Sequence, residues 1–191
     1  MLLLVASILV LFLLNLFLGS VHIPMDSIWN ILWGLDGDES VIWQNIIWKS
    51  RIPQSLTALV AGAGLAVSGL QMQTVFRNPL AGPSVLGISS GASLGVAFVV
   101  LLSGSIGGIA LSRLGFMGEI ALTVAAIVGA LSVMALIVYV SQKVHGNVTL
   151  LIIGVMIGYV ANAVIGVLKF FSVEEDIRAY VIWGLGSFAR V

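Results

Sequence analysis

The sequence contains very little charge and no cysteine. Asp, Glu, Lys and Arg make up 8% of its 191 residues, whereas a soluble domain carries about 25%. An ordinary soluble fold is therefore excluded. The absence of cysteine excludes disulfides and thiolate metal sites. The formal net charge of zero gives no indication of a nucleic-acid-binding surface.

The residues that enzymes use for catalysis are scattered along the chain. Its two histidines and eight acidic residues form no convergent group with a nucleophile. The sequence also lacks a glycine-rich loop of the Walker type, which would cradle a nucleotide phosphate. We therefore expect no catalytic residue, no metal site and no cofactor bound by this chain. If ATP drives the protein, a separate subunit hydrolyses it.

Apolar residues are abundant: 60% of the chain is hydrophobic, and its mean hydropathy is +1.17. A helix needs roughly 20 apolar residues to cross a bilayer, and five charge-poor runs have about that length. Because unpaired backbone groups are costly in hydrocarbon, these runs are predicted to be α-helical. The sequence thus predicts an all-α, polytopic transmembrane helical bundle, with one domain over residues 1–191. The predicted helices are approximately residues 2–19, 54–75, 84–104, 120–141 and 148–171.

Small residues recur at four-residue spacing in three of the predicted helices. In lipid, helices associate by close backbone approach, so such rows favour helix packing. A chain that lies beside a substrate path would need the same small residues, and this alternative stays open. The predicted packing glycines are Gly62 and Gly69 in the second helix, Gly87, Gly91 and Gly95 in the third, and Gly154, Gly158 and Gly166 in the fifth.

Two polar features leave alternatives open. Asn162 stands between Gly158 and Gly166 in the last of these rows. A polar side chain inside the membrane is a functional candidate, but a hydrogen bond between helices would explain it equally well. The segment from Met25 to Trp33 is either a short amphipathic helix on the membrane surface or an ordinary interfacial loop.

The stretch from Arg51 to Gly95 carries the most specific pattern. It reads R-x-P-x-x-L-x-A-L-x-x-G-A-x-L-A-x-S-G-x-x-M-Q, followed by R-N-P-L-A-x-P-x-x-L-G-I-S-S-G-A-S-L-G. This pattern closely resembles the FecCD-type permeases, the membrane subunits of ABC importers for iron-siderophores, haem and cobalamin. The later W-G-L-G-S-F at residues 183–188 is similar to that family's pattern just after its fifth helix.

The resemblance implies a fold, a function and a set of partners. Such permeases have roughly ten helices in two halves of opposite topology. This sequence corresponds to the first half, with residues 172–191 as the outer gate segment and the start of the second half. The implied function is that of a permease subunit of an ATP-driven importer in the bacterial cytoplasmic (inner) membrane. The implied partners are a cytoplasmic ATPase subunit, an extracytoplasmic substrate-binding protein, a second permease copy in a homo- or heterodimer, and membrane lipid.

The resemblance also nominates site residues by their place in the family's pattern. Arg51 matches the first arginine with which these permeases dock the binding protein. Gln54 stands where a second arginine is usual, so one docking charge is absent. The family's translocation path, lined partly by its third and fifth helices, nominates Ser89, Ser90, Ser93 and Asn162. Its outer gate, which follows the fifth helix, nominates Glu174, Glu175, Asp176 and Arg178.

Two other functions fit the composition. A secondary transporter or channel built from inverted repeats would need an intramembrane carboxylate for its ion. None of the eight acidic residues lies in the middle of a predicted helix. A non-transporting fragment is the other alternative, because five helices cannot enclose a path with two gates. The sequence does not select among siderophore, haem and cobalamin substrates.

Overall fold

The computed structural model describes residues 2–35, 41–107, 116–144 and 146–188. Within these residues the regular structure is helical and contains no strand, which confirms the predicted all-α class. The sequence predicts one domain, but the chain divides into two compact units. Unit 1 comprises the described parts of residues 1–64 and 187–191, and unit 2 comprises Leu65–Gly186.

Unit 1 contains three short helices and the beginning of a longer one. A π-helical segment, Ile47–Arg51, connects the third helix directly to the fourth. The core of unit 1 consists of four buried isoleucines, Ile23, Ile28, Ile31 and Ile47. The helices are α1 (Leu2–Phe17), α2 (Met25–Trp33), α3 (Val41–Ile46) and α4 (Ile52–Phe76). The part of α4 up to Gly64 belongs to unit 1.

Helix α2 settles the choice left open for residues 25–33 in favour of a helix. Ile28 and Ile31 are buried on one side of it, whereas Trp29 and Trp33 are exposed on the other. Asp26 lies in its first turn, where the helix dipole favours a carboxylate. The helix is therefore amphipathic, and its exposed tryptophans suit a membrane–water interface.

Pro53 lies inside a continuous helix, so the predicted start near residue 54 is too late. The helical stretch runs from Val41 to Phe76. Proline has no N–H to bond the carbonyl four residues earlier, here that of Lys49. The helix accommodates this by widening, because the N–H of Ile52 bonds to the carbonyl of Ile47, five residues earlier. The π-helical segment thus allows the helix to pass through the proline.

Unit 2 contains the end of α4 and four further helices. Helix α5 packs against α6, α7 and α8 and is the central element of the unit. One buried cluster joins Val96 and Leu101 of α5 to Ile165 and Tyr180, and a second includes Phe76, Leu86 and Ile137. The helices are α5 (Ile88–Gly107), α6 (Phe116–Ser141), α7 (Asn147–Phe171) and α8 (Glu174–Leu185).

Helices occupy all five predicted positions, but they differ in length. By length and composition, three helical stretches among the described residues could cross a membrane: Val41–Phe76, Met117–Ser141 and Asn147–Phe171. Helix α1, Leu2–Phe17, is shorter, and so is the apolar part of α5 over Ile88–Leu102. Membrane crossing by these two stays a prediction.

Glycines bring α5 and α6 together backbone to backbone. A Cβ on Gly91 would lie 2.7 Å from the carbonyl oxygen of Gly129, and one on Gly95 would lie 3.2 Å from the Gly129 Cα. A Cβ on Gly129 would in turn overlap the carbonyl oxygen of Gly91. The two helices can therefore approach this closely only because these positions lack side chains.

The glycines of α4 have no such neighbours. A Cβ on Gly62 or Gly69 would meet no atom within 4 Å in the part of the chain that the structure describes. The same is true of Gly166 in α7. The packing role predicted for these three glycines therefore has no counterpart in the described contacts.

In helix α7 only the first half of the predicted four-residue row is buried. Its buried positions are Gly154, Gly158, Ala161 and Ile165, which follow the average spacing of 3.6 residues per turn. A strict four-residue row rotates by about 40° at each step, so it drifts off the contact face after Gly158. Asn162 is consequently exposed, so residues 154–166 do not form one packed face among the described contacts.

Candidate functional site

The predicted path residues of α5 divide into an exposed and a half-buried group. Ser89 is exposed, whereas Ser90 and Ser93 are half-buried. Asn162 of α7 is exposed as well. Ser89 and Asn162 are thus available to line a path, while the other two serines lie at contacts between helices.

Ser90 lies where α5 crosses α7. A Cβ on Gly158 would come 3.3 Å from the Ser90 Oγ, and a Cβ on Gly87 would come 2.7 Å from the Gly154 carbonyl oxygen. Gly87 also has a positive φ of 73°, a conformation that favours glycine. This turn delays the start of α5 to Ile88, instead of the predicted residue 84.

Ser93 connects α5 to the predicted gate segment. Its side chain lies near the hydroxyl of Tyr180 of α8, a buried residue of the α5 cluster. The ammonium group of Lys169, near the end of α7, lies 4.7 Å from the centroid of the same Tyr180 ring. Tyr180 therefore contacts side chains from two other helices, through its hydroxyl and through its ring face.

Ser172 makes a second connection to α5, from the end of α7. Its hydroxyl lies 2.6 Å from the Leu168 carbonyl oxygen of α7 and 3.1 Å from the Leu101 carbonyl oxygen of α5, and its single proton is shared between these two acceptors. The sequence suggests that Ser172 caps α8. Instead the N-cap is Val173, which makes no side-chain cap bond. The serine links the preceding helix to α5 rather than starting α8.

The predicted gate residues lie in the first turns of α8. Glu174, Glu175 and Arg178 are exposed, whereas Asp176 is 5% exposed. The Oδ2 of Asp176 has no hydrogen-bond partner among the described residues. Burial raises the pKa of the Asp176 carboxyl, and the neighbouring Glu175 raises it further. The first turn of α8 thus holds one buried acid beside two solvated ones.

Arg51, predicted to dock a partner, lies in unit 1 with its side chain buried. Its guanidinium donates to the carbonyl oxygens of Leu16 and Val21, each at 2.5 Å, and to that of Phe17 at 3.3 Å. The last carbonyls of a helix have no partner within the helix. Arg51 therefore closes the end of α1 and does not present its charge on the surface of unit 1.

The neighbours of Arg51 continue this polar network. Gln54 is half-buried, and its amide donates to the Ser50 hydroxyl at 2.9 Å. The buried Ser55 hydroxyl lies 2.7 Å from both the Asn15 Oδ1 and the Arg51 carbonyl oxygen. The two residues predicted to dock a partner are thus engaged within unit 1, and their docking role stays a prediction.

Sequence reasoning missed three residues that organise unit 2. Gly129 pairs with the α5 glycines, and its signal is a glycine within the run A-A-I-V-G-A in the middle of helix α6. Tyr180 attaches α8 to α5, Ser172 attaches the end of α7 to α5, and no local pattern identifies their partners. Among the residues that the structure describes, no group of three or more His, Cys, Asp or Glu side chains could hold a metal ion.

The chain is similar to known transport proteins. It is 36% identical over 186 residues to the hemin transport system permease protein HmuU of Yersinia pestis, which covers 95% of this chain and 52% of the relative. It is 33% identical over 164 residues to the vitamin B12 import system permease protein BtuC of Pectobacterium atrosepticum, with coverages of 86% and 45%. A solved metal-chelate type ABC transporter in an inward-facing conformation matches with a TM-score of 0.72 and 27% identity, over 95% of this chain and 51% of that chain.

The long apolar helices, together with the membrane permeases among the chain's relatives, support a multi-pass membrane protein. The chain belongs to the FecCD transport family, which its residues 7–191 match. The family predicted from the motif is thereby confirmed, and a transport family agrees with the prediction that the chain is not an enzyme. The chain spans about half the length of the curated relatives it matches.

Proposed function

We propose that the chain is part of the permease subunit of an ATP-driven importer for an iron-siderophore, haem or cobalamin-type substrate. Family membership over most of the chain supports the proposal, as do the names of the haem and vitamin B12 permeases among its relatives. The proposed partners are a cytoplasmic ATPase subunit, an extracytoplasmic substrate-binding protein and a second permease copy. The proposed location is the bacterial cytoplasmic membrane.

The attachment of α8 to α5 is the observation that carries the mechanism. Packing of Tyr180 against Val96 and Leu101 joins α8 to α5. The Ser172 hydroxyl joins the end of α7 to the Leu101 carbonyl oxygen of α5, and glycine contacts join α5 to α6 and α7. A tilt of α5 therefore moves the carboxylates of α8 with it. ATP-driven closure of the partner subunits would tilt these helices together and change access to the path. Such coupling requires the permease to favour different conformations with and without nucleotide.

A transport assay tests the function directly. The protein, completed to the length of its relatives, is placed in proteoliposomes with its ATPase and binding protein. We expect uptake of one labelled substrate among a ferric siderophore, haem and cobalamin, and we expect none when the ATPase carries an inactive Walker lysine variant. Uptake that continues without ATP would support a secondary transporter, and no uptake of any of the three would contradict the proposal.

The lack of natural cysteine allows a test of the path residues. Ser89→Cys and Asn162→Cys in the same completed protein are expected to react with a membrane-impermeant thiol reagent, more slowly when substrate is bound. Ser132→Cys, also exposed but on α6, is the matched control and is expected to face lipid and stay unlabelled. Equal labelling at all three positions would remove Ser89 and Asn162 from the path.

The docking role of Arg51 is tested by charge reversal. If its guanidinium contacts a carboxylate of the binding protein, Arg51→Glu weakens association and does so most at low salt. Lys49→Glu changes the same charge at an exposed position two residues away and is the control. An equal effect of both variants, or none, would leave Arg51 with its structural role at the end of α1.

A further inference from the structure

A shallow surface depression, called the α6 groove below, lies between exposed side chains of α6 in unit 2, and all of its lining residues belong to this one helix or directly follow it. The groove is apolar over most of its length and becomes polar toward the C-terminal end of the helix. The lining residues are Leu131, Met134, Ala135 and Val138, followed by Tyr139 and Gln142.

The polar end of this groove carries a cation placed against a phenol. The Lys143 Nζ donates to the Tyr139 hydroxyl oxygen at 2.6 Å and lies 4.4 Å from the centroid of the same ring. Because the phenol oxygen accepts this bond, its own O–H remains able to donate. Two N–H groups of the ammonium are also left for other acceptors. The end of the groove therefore presents several donors and a positive charge together.

The charge at this end of unit 2 is of one sign. Asn147, in the first turn of α7, donates to the Val75 carbonyl oxygen at 3.1 Å, so Arg77 after α4 and Lys143 after α6 belong to the same end. The four carboxylates of unit 2 are Glu119 and those of residues 174–176. Glu119 lies at the opposite end of α6, about 33 Å along its axis. The others follow α7, which also begins at the Lys143 end.

We propose that the α6 groove binds an anionic phospholipid of the bilayer. One acyl chain lies along Leu131, Ala135 and Val138, and the headgroup phosphate accepts hydrogen bonds from Lys143 and Tyr139. Charge complementarity selects this occupant, because a zwitterionic lipid would bring its own cation to an end that is already positive. The site goes beyond the proposed import function and does not depend on which substrate the permease carries.

Native mass spectrometry of the full chain tests the site. The protein is purified in detergent and equilibrated with equal amounts of phosphatidylglycerol and phosphatidylcholine. We expect the wild type to retain phosphatidylglycerol preferentially. Lys143→Gln is expected to lower the ratio of the two retained lipids about fivefold. Lys143→Arg preserves the charge and is expected to keep the preference.

Two further variants separate charge from groove shape. Lys49→Gln removes an exposed lysine of unit 1 and is expected to leave the lipid ratio unchanged. Ala135→Phe fills the groove and is expected to reduce retention of the bound lipid, with Lys143 still present. Equal retention of both lipids by the wild type, or an unchanged ratio in Lys143→Gln, would overturn the proposal. Unchanged retention in Ala135→Phe would overturn the acyl-chain site.

Discussion

The two units of the chain hold their apolar helices together by opposite devices. In unit 1 a charged side chain connects separate elements, because the buried guanidinium of Arg51 donates to carbonyls at and beyond the end of α1. In unit 2 the backbones themselves meet, because Gly91 and Gly129 leave no side chain between α5 and α6. Buried hydrogen bonds are thus added to the isoleucine core of unit 1, and close backbone contacts are added to the side-chain clusters of unit 2.

The difference follows from what each unit contains. Unit 1 has short helices and a π-helical segment, and each helix end leaves carbonyl groups without partners. Such groups are costly when buried, and a guanidinium with five N–H donors can bond several of them at once. Unit 2 has long regular helices whose backbone groups are bonded internally, so its stability depends on close fit. For each unit we therefore expect one substitution that lowers the stability of that unit and not of the other.

The largest effect is expected for Gly91→Leu. A side chain at this position would start 2.5 Å from the Val133 Cγ2 and 2.7 Å from the Gly129 carbonyl oxygen. Backbone cannot move aside as a flexible side chain can, so α5 and α6 have to separate. We expect a loss of about 3 kcal/mol in the stability of unit 2, measured as thermal unfolding in detergent. Gly69→Leu is the matched control, since the space around Gly69 is open; equal losses in both variants would mean that bulk alone is responsible.

The second effect is expected for Arg51→Gln, which acts on unit 1. The shorter neutral side chain cannot reach the carbonyls of Leu16 and Val21, so one buried and one partly buried acceptor lose a charged donor. We expect a loss of about 2 kcal/mol, seen as faster amide hydrogen exchange in residues 14–23. Exchange in α5 and α6 is expected to stay unchanged. Lys49→Gln is the control. Equally faster amide exchange in both units of Arg51→Gln would contradict the view that Arg51 stabilises unit 1 alone.

The fold could largely be predicted from the sequence because hydrocarbon allows few alternatives. Runs of apolar residues have to be helical when their backbone groups have no water to bond, and the observed α6 and α7 lie close to their predicted ranges. The path through Pro53 could not be predicted in this way. The helix continues there because a π-helical segment replaces the missing bond, and this depends on how unit 1 packs around Ile47.

The candidate site was harder to predict than the fold. Regular four-residue spacing identified Gly91 and Gly95, but the same rule also selected Gly62 and Gly69, which have no neighbour within 4 Å among the residues that the structure describes. A row shows that a close approach is possible, and only the partner helix shows whether it occurs. The motif placed Arg51 at a docking surface, whereas its burial depends on the loop after α1. Tyr180 has no local signal, since its partner Ser93 is distant in sequence.

A third, smaller effect concerns Asp176, an acid in an otherwise apolar contact of unit 2. Its pKa is raised above the ordinary 3.8 by burial and then by Glu175. Such a group contributes stability fully below its unfolded pKa and loses that contribution as the pH rises through the folded pKa. Asp176→Asn does not titrate, so its melting temperature is expected to exceed that of the wild type increasingly as pH rises from about 4. Glu175→Gln, which removes the second cause, is expected to narrow this gap, and a gap independent of pH would show that Asp176 does not titrate as proposed.

The smallest effect is expected where a glycine contacts nothing. Gly69→Ala in α4 adds a methyl group in open space and replaces a poor helix former by the best one. We expect the 191-residue chain to become more stable by at most about 1 kcal/mol, whereas Gly91→Ala is expected to destabilise it. A clear loss in Gly69→Ala would mean that another helix occupies this face, and cross-linking of Gly69→Cys would show whether a second copy supplies it. The pair of alanine variants thus distinguishes a row of glycines in contact from one that is only exposed.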